Sequence, residues 1–127
     1  MLRSGNISSA GAGNPGFLIF GPLRIGEVLR GVYVCAEPNV DNSFTLSAWS
    51  YSDRPEQTLA AMTGGNRLLG EGAPGALGGV TVPNDNPLYI PLGNVIANEM
   101  YIGFAMDGIT AAEVVFVSLD LESSEFR

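Results

Sequence analysis

From Phe17 onward apolar and polar positions alternate with period two, the signature of strands that bury one face. In FTLSAWSY, residues 44–51, Phe44, Leu46 and Ala48 share one face, and Thr45, Ser47, Trp49 and Tyr51 the other, as in a half-buried strand. EMYIGFAM, residues 99–106, sets Met100, Ile102, Phe104 and Met106 against Tyr101, Gly103 and Ala105, which predicts a central strand. AEVVFVSLDLE, residues 112–122, puts Val115, Val117, Leu119 and Leu121 on a continuous apolar face. Its opposite face begins apolar, at Val114 and Phe116, and ends acidic. Cover on both sides is therefore expected near Val114 and Phe116, and another subunit is one candidate for it. EVLRGVYVCAE, residues 27–37, reads as a strand with Val28, Val32, Val34 and Ala36 as its core set, although Arg30 interrupts that face. PLYIPL, residues 87–92, groups Leu88, Ile90 and Leu92, while Pro87 and Pro91 lack the N–H that a ladder needs. That predicts an edge strand or an extended entry segment.

Turn signals separate these runs: NVDN at 39–42, SDRPEQ at 52–57, GEGAPGALGG at 70–79, VPNDNP at 82–87 and MDGI at 106–109. Asp107-Gly108 suits a two-residue hairpin turn, which would pair the strands on either side of it antiparallel. One short helical turn is expected within PEQTLAAM, residues 55–62, starting near Pro55 and Glu56. Six to eight short strands with Gly-rich connections predict an all-β fold, an antiparallel β-sandwich, jelly-roll-like. Residues 4–16 are dominated by Gly, Ser, Ala and Asn and offer little apolar surface to offset the entropy of ordering. The expected organisation is a flexible N-terminal arm over residues 1–16 and a single sandwich domain over 17–127.

Composition removes function classes rather than adding them. The 127 residues are 46% hydrophobic, enough for a core without a disulfide or a metal, and the single Cys35 is expected to pack as a small apolar group. The net charge is −7, with six arginines and no lysine or histidine. Those arginines (Arg3, Arg24, Arg30, Arg54, Arg67, Arg127) are scattered along the chain, so nucleic acid is not an expected partner. The strongly apolar runs fall well short of the ~20 residues that span a bilayer, and the N-terminus lacks the apolar centre of a signal peptide, so no membrane partner is expected either. Without histidine there is no Ser-His-Asp or Cys-His nucleophile and no histidine-held zinc; without lysine there is no Schiff base.

Gly70, Gly72 and Gly75 match G-x-G-x-x-G, but Pro74 lies inside the match and Gly78, Gly79 and Pro83 follow it. The helix that would present its N-terminus to a pyrophosphate has nowhere to start, so the stretch is a loop. Glu27, Glu37, Glu99 and Glu113 are candidates for a glycosidase carboxylate pair, yet each sits at a strand end where a solvated charge is ordinary. VDN at 40–42 and NDN at 84–86 carry oxygen donors suited to calcium, and Asp and Asn are also the usual turn residues. No enzyme activity and no cofactor are expected. For Trp49 and Tyr51 two readings stay open: a flat platform for a sugar ring or a partner protein, or a cap on the open face of the sandwich. The partner-facing candidates are thus Trp49, Tyr51, Val114 and Phe116.

GPLRIGEVLRGVYVCAEP, followed by SFTLSAWSY and by NPLYIPLGNVIANEMYIGFAMDGITAAEVVFVSL, resembles small jelly-roll or β-sandwich accessory proteins of tailed bacteriophage virions. The likeness covers about residues 17–121 and rests on strand order and texture: Leu23 or Ile25, Gly26, Val28, Val32 and Val34, then a polar strand, a Gly-rich excursion and two closing hydrophobic strands. It implies a structural protein of the phage particle surface, made in the host cytoplasm. The role would be capsid decoration or cement, or a head-fibre or tail component. The implied partner is the major capsid protein or a neighbouring virion protein, and the implied assembly is a homo-oligomer, a trimer foremost. A carbohydrate- or receptor-binding module of a tail or fibre is the alternative.

Overall fold

A computed structural model describes residues 2–11, 13–36, 45–69, 88–96, 99–107 and 113–122. They form strands β1 (Leu2–Ser9), β2 (Gly16–Phe20), β3 (Val28–Ala36), β4 (Thr45–Tyr51), a single helical turn α1 (Leu59–Met62), and strands β5 (Asn66–Leu69), β6 (Leu88–Ile96), β7 (Tyr101–Asp107) and β8 (Glu113–Glu122). Two four-stranded antiparallel sheets pack as a β-sandwich: sheet A in the order β1-β8-β3-β6, and sheet B in the order β2-β7-β4-β5. The pairing is nested. The first strand lies beside the last, the second beside the second-last, and so inward to β4 and β5, with the nested pairs alternating between the sheets.

The core between the sheets is built from the faces that alternation assigns. Val115, Val117, Leu119 and Leu121 of β8 meet Ile102, Phe104 and Met106 of β7 and Leu46 and Ala48 of β4, all buried. Phe20 and Phe104 pack edge-on at 5.9 Å. Strand β6 is one edge of sheet A, as Pro91 requires, and β1 the other.

The N-terminal stretch departs from the sequence reading. Within residues 1–16, read from the sequence as an arm, Leu2–Ser9 form a strand that pairs with β8 over its whole length, from Leu2 opposite Asp120 to Ser9 opposite Glu113. Ile7 is fully buried in the core. Small polar residues hide the strand because only one of its faces is covered, and Ile7 is the one large apolar side chain on that face. The connection to β2 is also tied down, with the Ser9 hydroxyl bonded to the Asn14 carbonyl and the Asn14 N–H donating to the Gly11 carbonyl at 3.1 Å.

Two registers also differ. β7 and β8 do not pair through Asp107-Gly108; β7 lies between β2 and β4 in sheet B, and β8 between β1 and β3 in sheet A. Residues on both sides of a Asp-Gly step alternate equally well whether the chain turns back within a sheet or crosses to the other one. In β3 the register shifts between Leu29 and Gly31, leaving Arg30 as the extra residue of a bulge against β8. Val28, Val32 and Val34 are buried as expected, joined by Leu29, while the side chain of Ala36 lies outside the described residues; Arg30 is exposed, which resolves its conflict with the apolar face. The helical turn falls where expected but starts later, with the Thr58 hydroxyl accepting from the Ala61 N–H as its N-cap.

A candidate interaction face on sheet A

The two outer faces of the sandwich are unlike. On sheet B, Trp49, Tyr51, Met62 and Ala105 form a second buried cluster, with Phe17, Ile19, Leu59 and Tyr101 packed against it. The segment carrying α1 folds back over this face. The Tyr51 hydroxyl donates to the Met62 carbonyl at 2.5 Å. Gly103 makes the approach possible, since a Cβ there would come within 2.7 Å of both Met62 Cε and Tyr51 Cε2. Arg67, opposite Trp49 on β5, holds its guanidinium 5.2 Å from the indole centroid. Burial pushes the Tyr51 phenol up to about 12.

Trp49 and Tyr51 are thus not a platform. They are 3% and 8% exposed, and what the alternation marks as the solvent side of β4 is a second interior layer. The sequence signal for this was the amphipathic fragment LAAM after Thr58, too short to show a period that would have aimed it at β4.

Sheet A keeps its outer face open among the described residues. Asn6, Phe116 and Cys35 form one cross-strand row over β1, β8 and β3; Ser4, Ser118, Tyr33 and Tyr89 form the next, reaching β6. Phe116 is 50% exposed, Tyr33 38% and Tyr89 37%, while Val114, further along β8, is half-buried. The two tyrosine rings are tilted against each other at 4.7 Å. Tyr89 lies over Gly31, where a Cβ would meet its Cζ and hydroxyl at 2.5 Å, and donates to Asp120 Oδ2 at 2.9 Å. Desolvation, followed by the bond to Asp120, raises the Tyr89 pKa. The Ser4 and Ser118 hydroxyls meet at 2.8 Å. The result is a surface on which Tyr33 and Tyr89 hold each other, with Phe116 beside them and Asp120 and Glu122 at one end, able to give contact area at small entropic cost.

The carboxylate candidates do not converge. Glu27 is buried, and its Oε1 accepts from the Arg24 N–H at 2.7 Å while its own N–H donates to the Arg24 carbonyl at 3.2 Å. With Gly26 at φ 84° in the third position, these bonds lock a turn, which gives Glu27 a structural role. Glu99 is exposed and lies with Asp53, Arg24 and Tyr101 along an open cleft of about 430 Å³ at one end of the sandwich. Glu37 and the side chain of Glu113 lie outside the described residues, as do the Gly70–Gly75 motif and both candidate calcium loops. Among the described residues no group of three or more metal-ligating side chains gathers.

Comparison of the chain with protein-family models, with curated proteins and with solved structures finds no match.

Proposed function

We propose that this protein is a non-enzymatic structural component of a virion, a decoration or cement protein that docks on the major capsid protein through the outer face of sheet A and stabilises the shell. The observation that supports this most is the contrast between the two outer faces. One has its aromatic residues roofed by α1, and the other leaves Phe116, Tyr33 and Tyr89 exposed on a paired sheet. Exposed aromatic rings in adjacent rows are what a protein–protein contact uses for its central anchors.

The nested strand order supports the same reading by analogy of fold. Pairing β1 with β8, β2 with β7, β3 with β6 and β4 with β5 across two sheets is the order that a jelly-roll wrapping would give, an architecture common among viral capsid and lectin domains. The glycan-binding alternative relied on Trp49 and Tyr51, and both are buried.

The test is co-sedimentation with cognate capsids that lack this protein. Phe116→Ala and Tyr33→Ala together are expected to lower occupancy about tenfold or more, as for removal of central anchors, with an unchanged circular dichroism spectrum. Undiminished occupancy would remove this face from the account, and binding by neither the variant nor the parent chain would remove the capsid.

A further inference from the structure

The four sheet edges differ in how open they are to another strand. β5 offers four residues and β2 five. β6 is longer, but its register breaks opposite Leu29 and Gly31, it contains Pro91, and Gly93 takes φ 74°. These are the usual devices that keep an edge from pairing. β1 is free of the short length, the register break, the proline and the positive-φ glycine that mark the others. Its ladder to β8 runs without a shift over eight residues, and no second ladder covers its other side among the described residues. Its outward side chains beyond Leu2 are Ser4, Asn6 and Ser8, small and uncharged.

We propose that β1 pairs antiparallel with β1 of a second copy, joining two A sheets into one eight-stranded sheet across a two-fold axis. Several observations favour a second copy over a foreign strand. Antiparallel pairing of a strand with itself is self-complementary, and a two-fold through Gly5 sets Ser4 opposite the partner's Asn6 and Leu2 opposite the partner's Ser8. In a chain of net charge −7, β1 carries Arg3 and no carboxylate, so this edge brings two copies together without opposing acids across the new ladder. The joined sheet also answers a shortfall of area, which is the one point where the inference leans on the docking role proposed above. Four strands at about 4.8 Å spacing and eight residues at about 3.4 Å make a face of roughly 500 Å². A stable interface takes roughly 800 Å² per partner. Two joined faces reach roughly 1,000 Å² by the same count, with Phe116 and Tyr33 present on each half.

Sedimentation equilibrium of the isolated protein tests the pairing without reference to capsids, so its outcome is separable from that of the co-sedimentation above. The chain is expected to run as a dimer of its 13.3 kDa unit, and Ser4→Lys with Asn6→Lys, which places lysines opposite one another across the two-fold, to weaken dimerisation at least tenfold. Amide hydrogen exchange supplies the second readout. In a strand paired on one side only, alternate amides are bonded; in the dimer all central amides of residues 3–8 are protected, and half of them lose protection in the lysine variant. A monomer or trimer at all concentrations would overturn the proposal, as would a dimer unaffected by the lysines or unprotected alternate amides in β1 at dimer concentration.

Discussion

The Tyr89 hydroxyl donates to Asp120 Oδ2 at 2.9 Å, reaching from β6 over β3 to β8. The path is open because β3 places Gly31 beneath the ring. One glycine thereby fixes the orientation of an aromatic side chain on the face that we assign to docking.

Gly31→Ala is expected to break this arrangement. The added Cβ would sit 2.5 Å from Tyr89 and 2.7 Å from the Ile90 backbone carbonyl, so both the ring and the edge strand must move. A loss of about 1–3 kcal/mol is the ordinary result of such overpacking, readable by urea denaturation. Spectrophotometric titration gives a second measure. Tyr89 in the parent chain ionises later than an ordinary tyrosine, and that delay is expected to shrink in the variant.

Trp49 and Phe116 separate folding from the proposed docking. Trp49→Ala empties a site in the buried layer under α1 and is expected to cost about 3–5 kcal/mol. Phe116→Ala removes a half-exposed ring and is expected to change stability by no more than about 1 kcal/mol. Denaturant midpoints of the two variants check this ordering; equal costs would mean that the face around Phe116 is covered in solution.

The Tyr51 phenol predicts a loss of stability in alkali. Its folded pKa, about 12, exceeds the unfolded value of 10, so the stabilisation is fully present below pH 10. It is lost as the pH rises through the folded value, because the unfolded chain releases its proton first. Discounted for partial solvent screening, the loss is about 1–2 kcal/mol between those limits. Tyr51→Phe is expected to start about 1 kcal/mol lower, for want of the bond to the Met62 carbonyl, and to show a flatter profile there.

Removing residues 1–9 is expected to unfold the protein rather than free an appendage. The deletion strips a whole edge strand and with it Ile7, which is fully buried against the core. Loss of the cooperative thermal transition would show this; an unchanged transition would contradict the role of β1.

Much of the fold was legible in the sequence, because an inward face of a sandwich strand repeats every second residue. The inner faces of β4, β7 and β8 and the edge position of β6 could all be read that way. What alternation does not carry is the identity of the neighbour. It could not distinguish a hairpin from a crossover after Asp107, foresee the bulge that exposes Arg30, or show that a four-residue helix roofs Trp49. Strand β1 was missed for a related reason, since a strand covered on one side by a neighbour of larger side chains needs few of its own. Of the four partner-facing candidates, Phe116 and Val114 lie on the open face and Trp49 and Tyr51 in the second interior layer.

Electron microscopy of intact particles decides whether the outer face of sheet A docks on a shell. Extra density of about 13 kDa per copy is expected on the particle, with the outer face of sheet A, and Phe116 and Tyr33 in particular, in contact with the shell. Density in which that face points to solvent, or particles with no such density, would contradict it.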